Sequence, residues 1–105
     1  MKVIVLDVCQ KEISKFPESI KLTLLELIND LSSGLVLSMP VSKRMEGIGR
    51  GAYELRLKNT SGIYRVIYLI KKKEAIYLIH AFKKKTTKTP KKNIDLAIKR
   101  AKRLL

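Results

Sequence analysis

Apolar positions recur along this chain with two different periods, and each change of period marks a boundary between elements. Lys2–Val8 is a short β-branched run that reads as a first strand, with Asp7 placed to cap a helical turn after it. Pro17 suits the first turn of a helix. Beyond it Ile20, Leu24, Leu27, Ile28 and Leu31 fall on one helical face, and Ser32-Ser33-Gly34 closes the segment. Val36–Arg50 contains Pro40, Gly47 and Gly49, runs into Gly51, and reads mostly as loop.

The period then drops to two. In Ala52–Lys58, Tyr53, Leu55 and Leu57 share one face, while Glu54, Arg56 and Lys58 share the other. Asn59-Thr60-Ser61-Gly62 reads as a hairpin loop. Ile63–Ile70 is apolar on both faces except at Arg65, as a central strand would be. Lys71-Lys72-Lys73-Glu74 turns the chain, and Ala75–Phe82 is the next strand. Thr89 then offers an N-cap, with Pro90 at the first helical position. Ile94, Ala97, Ile98, Ala101 and Leu105 line one face of a basic amphipathic helix. Strand, helix, three-strand meander and helix predict an α+β fold, an antiparallel sheet packed against helices, as one domain over 1–105.

Composition narrows the chemistry. Cys9 is the lone cysteine and His80 the lone histidine. A disulfide, a multi-histidine or cysteine metal site, and a Ser-His-Asp triad are therefore not expected, and no cofactor is called for. MKVIVLDVC is interrupted by Asp7 and is not built as a signal peptide. With no apolar run long enough for a membrane, the expectation is a cytoplasmic protein.

The net charge of +14 is unevenly placed. Residues 1–42 carry four Lys/Arg against five Asp/Glu, residues 43–82 nine against three, and residues 83–105 ten against one. So one-sided a surface attracts phosphate backbones by a salt-dependent, sequence-independent term. Solubility alone does not require it.

Several residues are candidates for chemistry. Arg65 is a permanent charge in an apolar strand and needs a partner or a wet cleft. It reads either as a structural ion pair with Glu54 or as a fixed fork for phosphate. Arg56 reads as a second cation of that kind or as an exposed strand salt bridge. His80 has the chemistry of a general acid–base, although a histidine in an apolar strand is more often a core residue. Phe82 is either a base-stacking ring or core. Lys83, Lys84 and Lys85 leave the last strand together at the edge expected for His80. Gly47, Gly49 and Gly51 match neither a P-loop nor a dinucleotide fingerprint and read as loop flexibility.

The succession LSSGLVLSMPVSKRMEG, AYELRL, GIYRVIYLI and IYLIHAFKKKTTKTP followed by a basic helix resembles the phage-derived branch of the HigB-type toxins, within the RelE superfamily. HAFKKKTTKTP is its most specific part. The resemblance implies a toxin of a type II toxin–antitoxin pair, an endoribonuclease that cleaves mRNA on the ribosome by metal-independent attack of the 2′-hydroxyl. It implies a helix-turn-helix antitoxin as partner. The family's basic sheet positions correspond to Arg56 and Arg65, and those after the last strand to Lys83–Lys85. Catalysis is then expected from Arg65, Arg56, Lys84, His80 and Glu54, and RNA contact from Lys43, Lys83, Lys85 and Phe82. Some relatives carry a tyrosine near the chain end, and none follows Tyr77 here. The rival expectations are a non-catalytic nucleic-acid-binding module and an inactive homologue that only binds its antitoxin.

Overall fold

A computed structural model describes residues 1–104. The first strand, β1 (Val3–Val5), stops at Val5 rather than Val8, and the chain turns at once into α1 (Asp7–Ile13). Cys9 and Ile13, four apart, are both buried, so the helical period has already taken over there. Asp7 makes no side-chain cap; it lies in the first turn of α1, where a carboxylate complements the helix dipole.

Helix α2 (Glu18–Ser32) follows Pro17 and buries Ile20, Leu24 and Leu31, with Leu27 and Ile28 partly buried beside them. Gly34, at φ +96°, supplies the left-handed residue that ends it. The expected loop after it contains a short strand, β2 (Ser42–Arg44). Strands β3 (Ala52–Asn59), β4 (Gly62–Lys71) and β5 (Ala75–Lys84) form the expected antiparallel meander. The sheet order is β1-β5-β4-β3-β2, with β1 parallel to β5 and all other pairs antiparallel.

The sheet is covered on both faces. Helices α1 and α2 close one core over Leu55, Leu57, Val66, Tyr68 and Leu78. On the other face lies α3 (Lys91–Lys102), whose Ala97 and Ala101 pack with Ile67, Leu69 and Ile79. Ile94 and Ile98 pack against that cluster from its margin, while Leu105 lies outside the described residues. Pro90, not Thr89, occupies the N-cap position of α3. The β4–β5 register slips between Ile67 and Tyr68: Ile67 faces His80, but Tyr68 faces Leu78. The extra residue, Ile79, is a bulge, and it brings Ile79 and His80 together on the α3 side. No described helix is long and apolar enough to cross a membrane.

Candidate nucleic-acid interface and active site

Strand register places the basic side chains. Across the sheet Lys43 pairs with Glu54, Glu54 with Ile67, and Ile67 with His80. The adjacent row is Arg56, Arg65, Phe82, and the next is Lys58, Ile63, Lys84. Side chains of alternate residues share a face, so Arg56, Arg65, Lys84 and Lys43 converge on the α3 side, toward the sheet end that α3 leaves open. An open cleft of about 450 Å³ lies there, lined by Pro40, Val41, Arg56, Leu57, Ile63 and Arg65 among others.

Arg65 is the deepest cation, only 6% exposed. Burial lowers its pKa; Glu54 opposes that shift and Arg56 adds to it. Its Nε lies 3.5 Å from Glu54 Oε1, an ion pair too long for a good hydrogen bond. Its Nη1 donates to the carbonyl of Tyr64 at 3.2 Å. Among the described residues, Nε has no hydrogen-bond partner at all. A buried guanidinium with an unsatisfied N–H lacks the donor satisfaction that folded proteins ordinarily provide.

Glu54 is buried too, at 2% exposed. Its second oxygen, Oε2, accepts a hydrogen bond from the Thr89 hydroxyl at 2.8 Å. Thr89 therefore ties the basic segment after β5 to the carboxylate that faces Arg65, which is why it is not spent on capping α3. Lys84, at the end of β5, has its pKa lowered, first by burial and then by the charges of Arg65, Arg56 and Lys43, with Glu54 opposing. Four cations thus crowd around one carboxylate, a field that favours an arriving anion.

Strand β5 runs past the expected end at Phe82 to include Lys83 and Lys84, and these two and Lys85 do not act as one cluster. Strand alternation sends Lys83 to the other face, where its Nζ sits 5.8 Å from the centre of the Tyr64 ring. Lys84 stays with Arg65, and Lys85 lies exposed just past the strand. Phe82 is almost buried and stacks on His80 at 5.3 Å between ring centres.

His80 is 2% exposed, and both its ring nitrogens are engaged. Nε2 is 2.7 Å from Asn93 Oδ1 on α3. Nδ1 is 3.2 Å from Glu12 Oε2 and 2.9 Å from Arg100 Nη1, the tautomer deciding which it engages. Glu12 and Arg100 form a two-pronged pair, at 2.8 Å and 3.2 Å. They also complete β5 past the end of β1: the Ala81 N–H donates to Glu12 at 3.1 Å, and Arg100 donates to the Ile79 carbonyl at 2.9 Å. Burial by itself would raise the Glu12 pKa, but hydrogen bonds from His80, Arg100 and Ala81 outweigh it and hold it at about 2. Glu12, Arg100 and Asn93 were not among the expected residues, and this cluster joins α1, β5 and α3.

The comparisons with known proteins agree with this architecture. A family model described as "Phage derived protein Gp49-like (DUF891)" matches residues 11–102. A solved structure of the E. coli toxin RelE, a mutant with two arginines changed to alanine and in the free state, superposes with a TM-score of 0.68. That match covers 99% of this chain and 97% of the RelE chain at 16% sequence identity, which makes it a likeness of fold. No curated protein matches the chain in sequence.

Proposed function

The chain belongs to the phage-derived Gp49-like family, and from that premise we propose that it is a RelE/HigB-type toxin and a ribosome-dependent endoribonuclease, a single toxin domain over 1–105 that cleaves mRNA in the cytoplasm. The observation that carries the reading is the buried Arg65 guanidinium, which lines a cleft shared with Arg56 and whose Nε has only the long ion pair to Glu54 and no hydrogen bond. A phosphate in the cleft would offer this guanidinium further acceptors, and the planar fork suits it.

The reaction needs no protein nucleophile. The RNA 2′-oxygen attacks the adjacent phosphorus, its proton passes to a base, and the 5′-oxygen leaves, protonated from solvent, with a 2′,3′-cyclic phosphate behind it. Arg65 and Arg56 stabilise the charge that builds on the phosphoryl oxygens, acting as fixed donors rather than reorganising solvent. Lys84 is the base: partial burial and the neighbouring charges of Arg65, Arg56 and Lys43 lower its pKa, which favours the neutral amine that can accept a proton. Glu54, held by Thr89, aims Arg65. His80, with both nitrogens engaged, positions α3 and the Phe82 ring instead of moving a proton to substrate. Lys43 and Lys85 extend the phosphate path along the same face, Lys83 meets the RNA from the strand's other side, and Phe82 packs at the cleft's inner margin. A helix-turn-helix antitoxin is the partner that holds this activity in check.

The test is cleavage of a defined mRNA on programmed ribosomes, with the new ends mapped. The reading expects breaks only where ribosomes are present and 2′,3′-cyclic phosphate on the upstream product. RNA binding without cleavage would leave a nucleic-acid-binding module, and antitoxin binding alone an inactive homologue.

A further inference from the structure

The opposite face of the sheet, at its other end, carries a surface that the cleavage reaction does not use. Past the end of α2 the chain folds back over the sheet and leaves an apolar slot of about 210 Å³, walled by Leu31, Leu35 and Leu37 and floored by Tyr53, Ile70 and Ile76. Leu35 is 56% exposed and Val36 is 92% exposed, so the slot's lip is apolar and wet. A second groove runs out of the first and shares Tyr53 and Ile70 with it. Its walls are Arg44, Arg50, Lys71 and Lys72, with Glu46 the one acid among them. Arg44 pairs with Glu46 and Lys71 with Glu74, both at 3.4 Å and partly exposed, which commits little energy. Arg50 and Lys72 have no acidic partner among the described residues.

We propose that this continuous surface receives an acidic, amphipathic peptide segment of a partner protein. Apolar side chains of the segment enter the slot, and its carboxylates meet Arg50, Lys72 and Arg44. On the toxin reading, on which its biological identity rests, that partner is the antitoxin. The chemistry favours a peptide over RNA. RNA offers phosphates to the cations but has no aliphatic group for a slot walled by leucines. Tyr53, the half-buried aromatic there, already stacks on Tyr68 at 5.3 Å with nearly parallel rings. An exposed apolar strip rimmed by charge is the usual mark of a protein-binding surface.

The location has a consequence. From Arg56 back to Ala52 the strand spans about 13 Å at roughly 3.3 Å per residue, and the slot opens on the other face. A segment docked here leaves the Arg65 cleft open. Tethering and inhibition are then separable: the partner holds the toxin by this surface and needs a different contact to block RNA.

The test uses the whole chain with isotope-labelled backbone amides and three probes. These are a short helical peptide of glutamate and leucine with the leucines on one face, the same peptide with lysine for glutamate, and a single-stranded RNA oligomer. The acidic peptide is expected to shift the amides of Val36, Tyr53, Ile70 and Lys72, and the lysine peptide is not. Val36→Asp, and separately Arg50→Glu with Lys72→Glu, should each weaken the acidic peptide by about 10-fold or more while mRNA cleavage stays at the wild-type rate. The proposal is overturned if the acidic peptide shifts nothing, if its shifts fall at Arg56, Arg65 and Lys84, or if the RNA oligomer shifts the Val36 and Tyr53 amides instead. A wild-type protein that binds the peptide in the slot yet never cleaves mRNA would sink the toxin reading and leave the docking surface standing.

Discussion

Replacing Glu12 by glutamine removes the charge at the centre of the α1–β5–α3 junction while keeping the side chain's shape. Its pKa of about 2, against an ordinary 4.5, means that the ionised form is favoured in the folded protein. At ~1.4 kcal/mol per unit, the full shift corresponds to roughly 3 kcal/mol. The carboxylate is 25% exposed, so water screens part of that, and about 2 kcal/mol is the working figure. The folded pKa lies below the unfolded one. The stabilisation is therefore fully present above about pH 4.5 and disappears as pH falls toward about 2. Urea unfolding of wild type and Glu12→Gln, repeated from neutral pH downward, measures it. The stability gap should be widest near neutrality and should close through that window. Glu12→Ala should cost more, because it also strands the Ala81 N–H and Arg100. A Glu12→Gln gap that is absent at neutral pH, or that stays constant down to about pH 2, would refute the reasoning.

Other perturbations probe separate parts of the account. Thr89→Val keeps the shape but removes the hydroxyl from Glu54; unfolding should show a loss of about 1–3 kcal/mol, and Thr89→Ser should restore most of it. Gly51 has φ +81°, and a Cβ there would lie 2.7 Å from the Ile70 carbonyl oxygen, so Gly51→Ala should lower the melting temperature measurably, whereas Gly47→Ala, in open space, should not. Burial, with Glu12 adding and Arg100 opposing, pushes the Cys9 thiol up to about 12. It should stay unreactive to a thiol reagent at neutral pH until the protein is unfolded, and fast labelling of the native chain would contradict its placement.

Much of the architecture was legible because the period changes are sharp. Tyr53, Leu55 and Leu57 alternate with Glu54, Arg56 and Lys58, and β3 follows that pattern with its cationic face toward the cleft. Strand β2 was not legible: Ser42-Lys43-Arg44 carries no apolar alternation and is held by its pairing with β3. α1 was legible only as a helical turn near Asp7, because Val8 continues the apolar run of β1; the spacing of Cys9 and Ile13 signals the rest of the helix. The Arg65–Glu54 ion pair was one of the two readings open for Arg65, and the geometry contains that pair, through an Nε too far from Glu54 for a good hydrogen bond. Thr89 was misassigned because its N-cap pattern is local while its actual partner, Glu54, is brought in by tertiary folding. Glu12 had only a weak signal, an acid beside the buried positions of a short helix; its partners Arg100 and His80 are far away in sequence. Period two alone would have separated Lys83 from Lys84, a division hidden by reading the three lysines as one cluster.

The central claim is that Arg65 is buried in order to hold a phosphate. The measurement is the single-turnover rate of mRNA cleavage on programmed ribosomes by Arg65→Ala, with thermal unfolding of the same preparation. A preorganised donor to the reacting phosphate contributes about 2.7–4 kcal/mol, roughly a hundred- to thousand-fold in rate. A loss of that size is expected from a protein that still unfolds cooperatively. Arg65→Lys should recover only part of it, because an ammonium lacks the fork. Cleavage at the wild-type rate by a folded Arg65→Ala protein would contradict the claim and reduce Arg65 to the structural partner of Glu54.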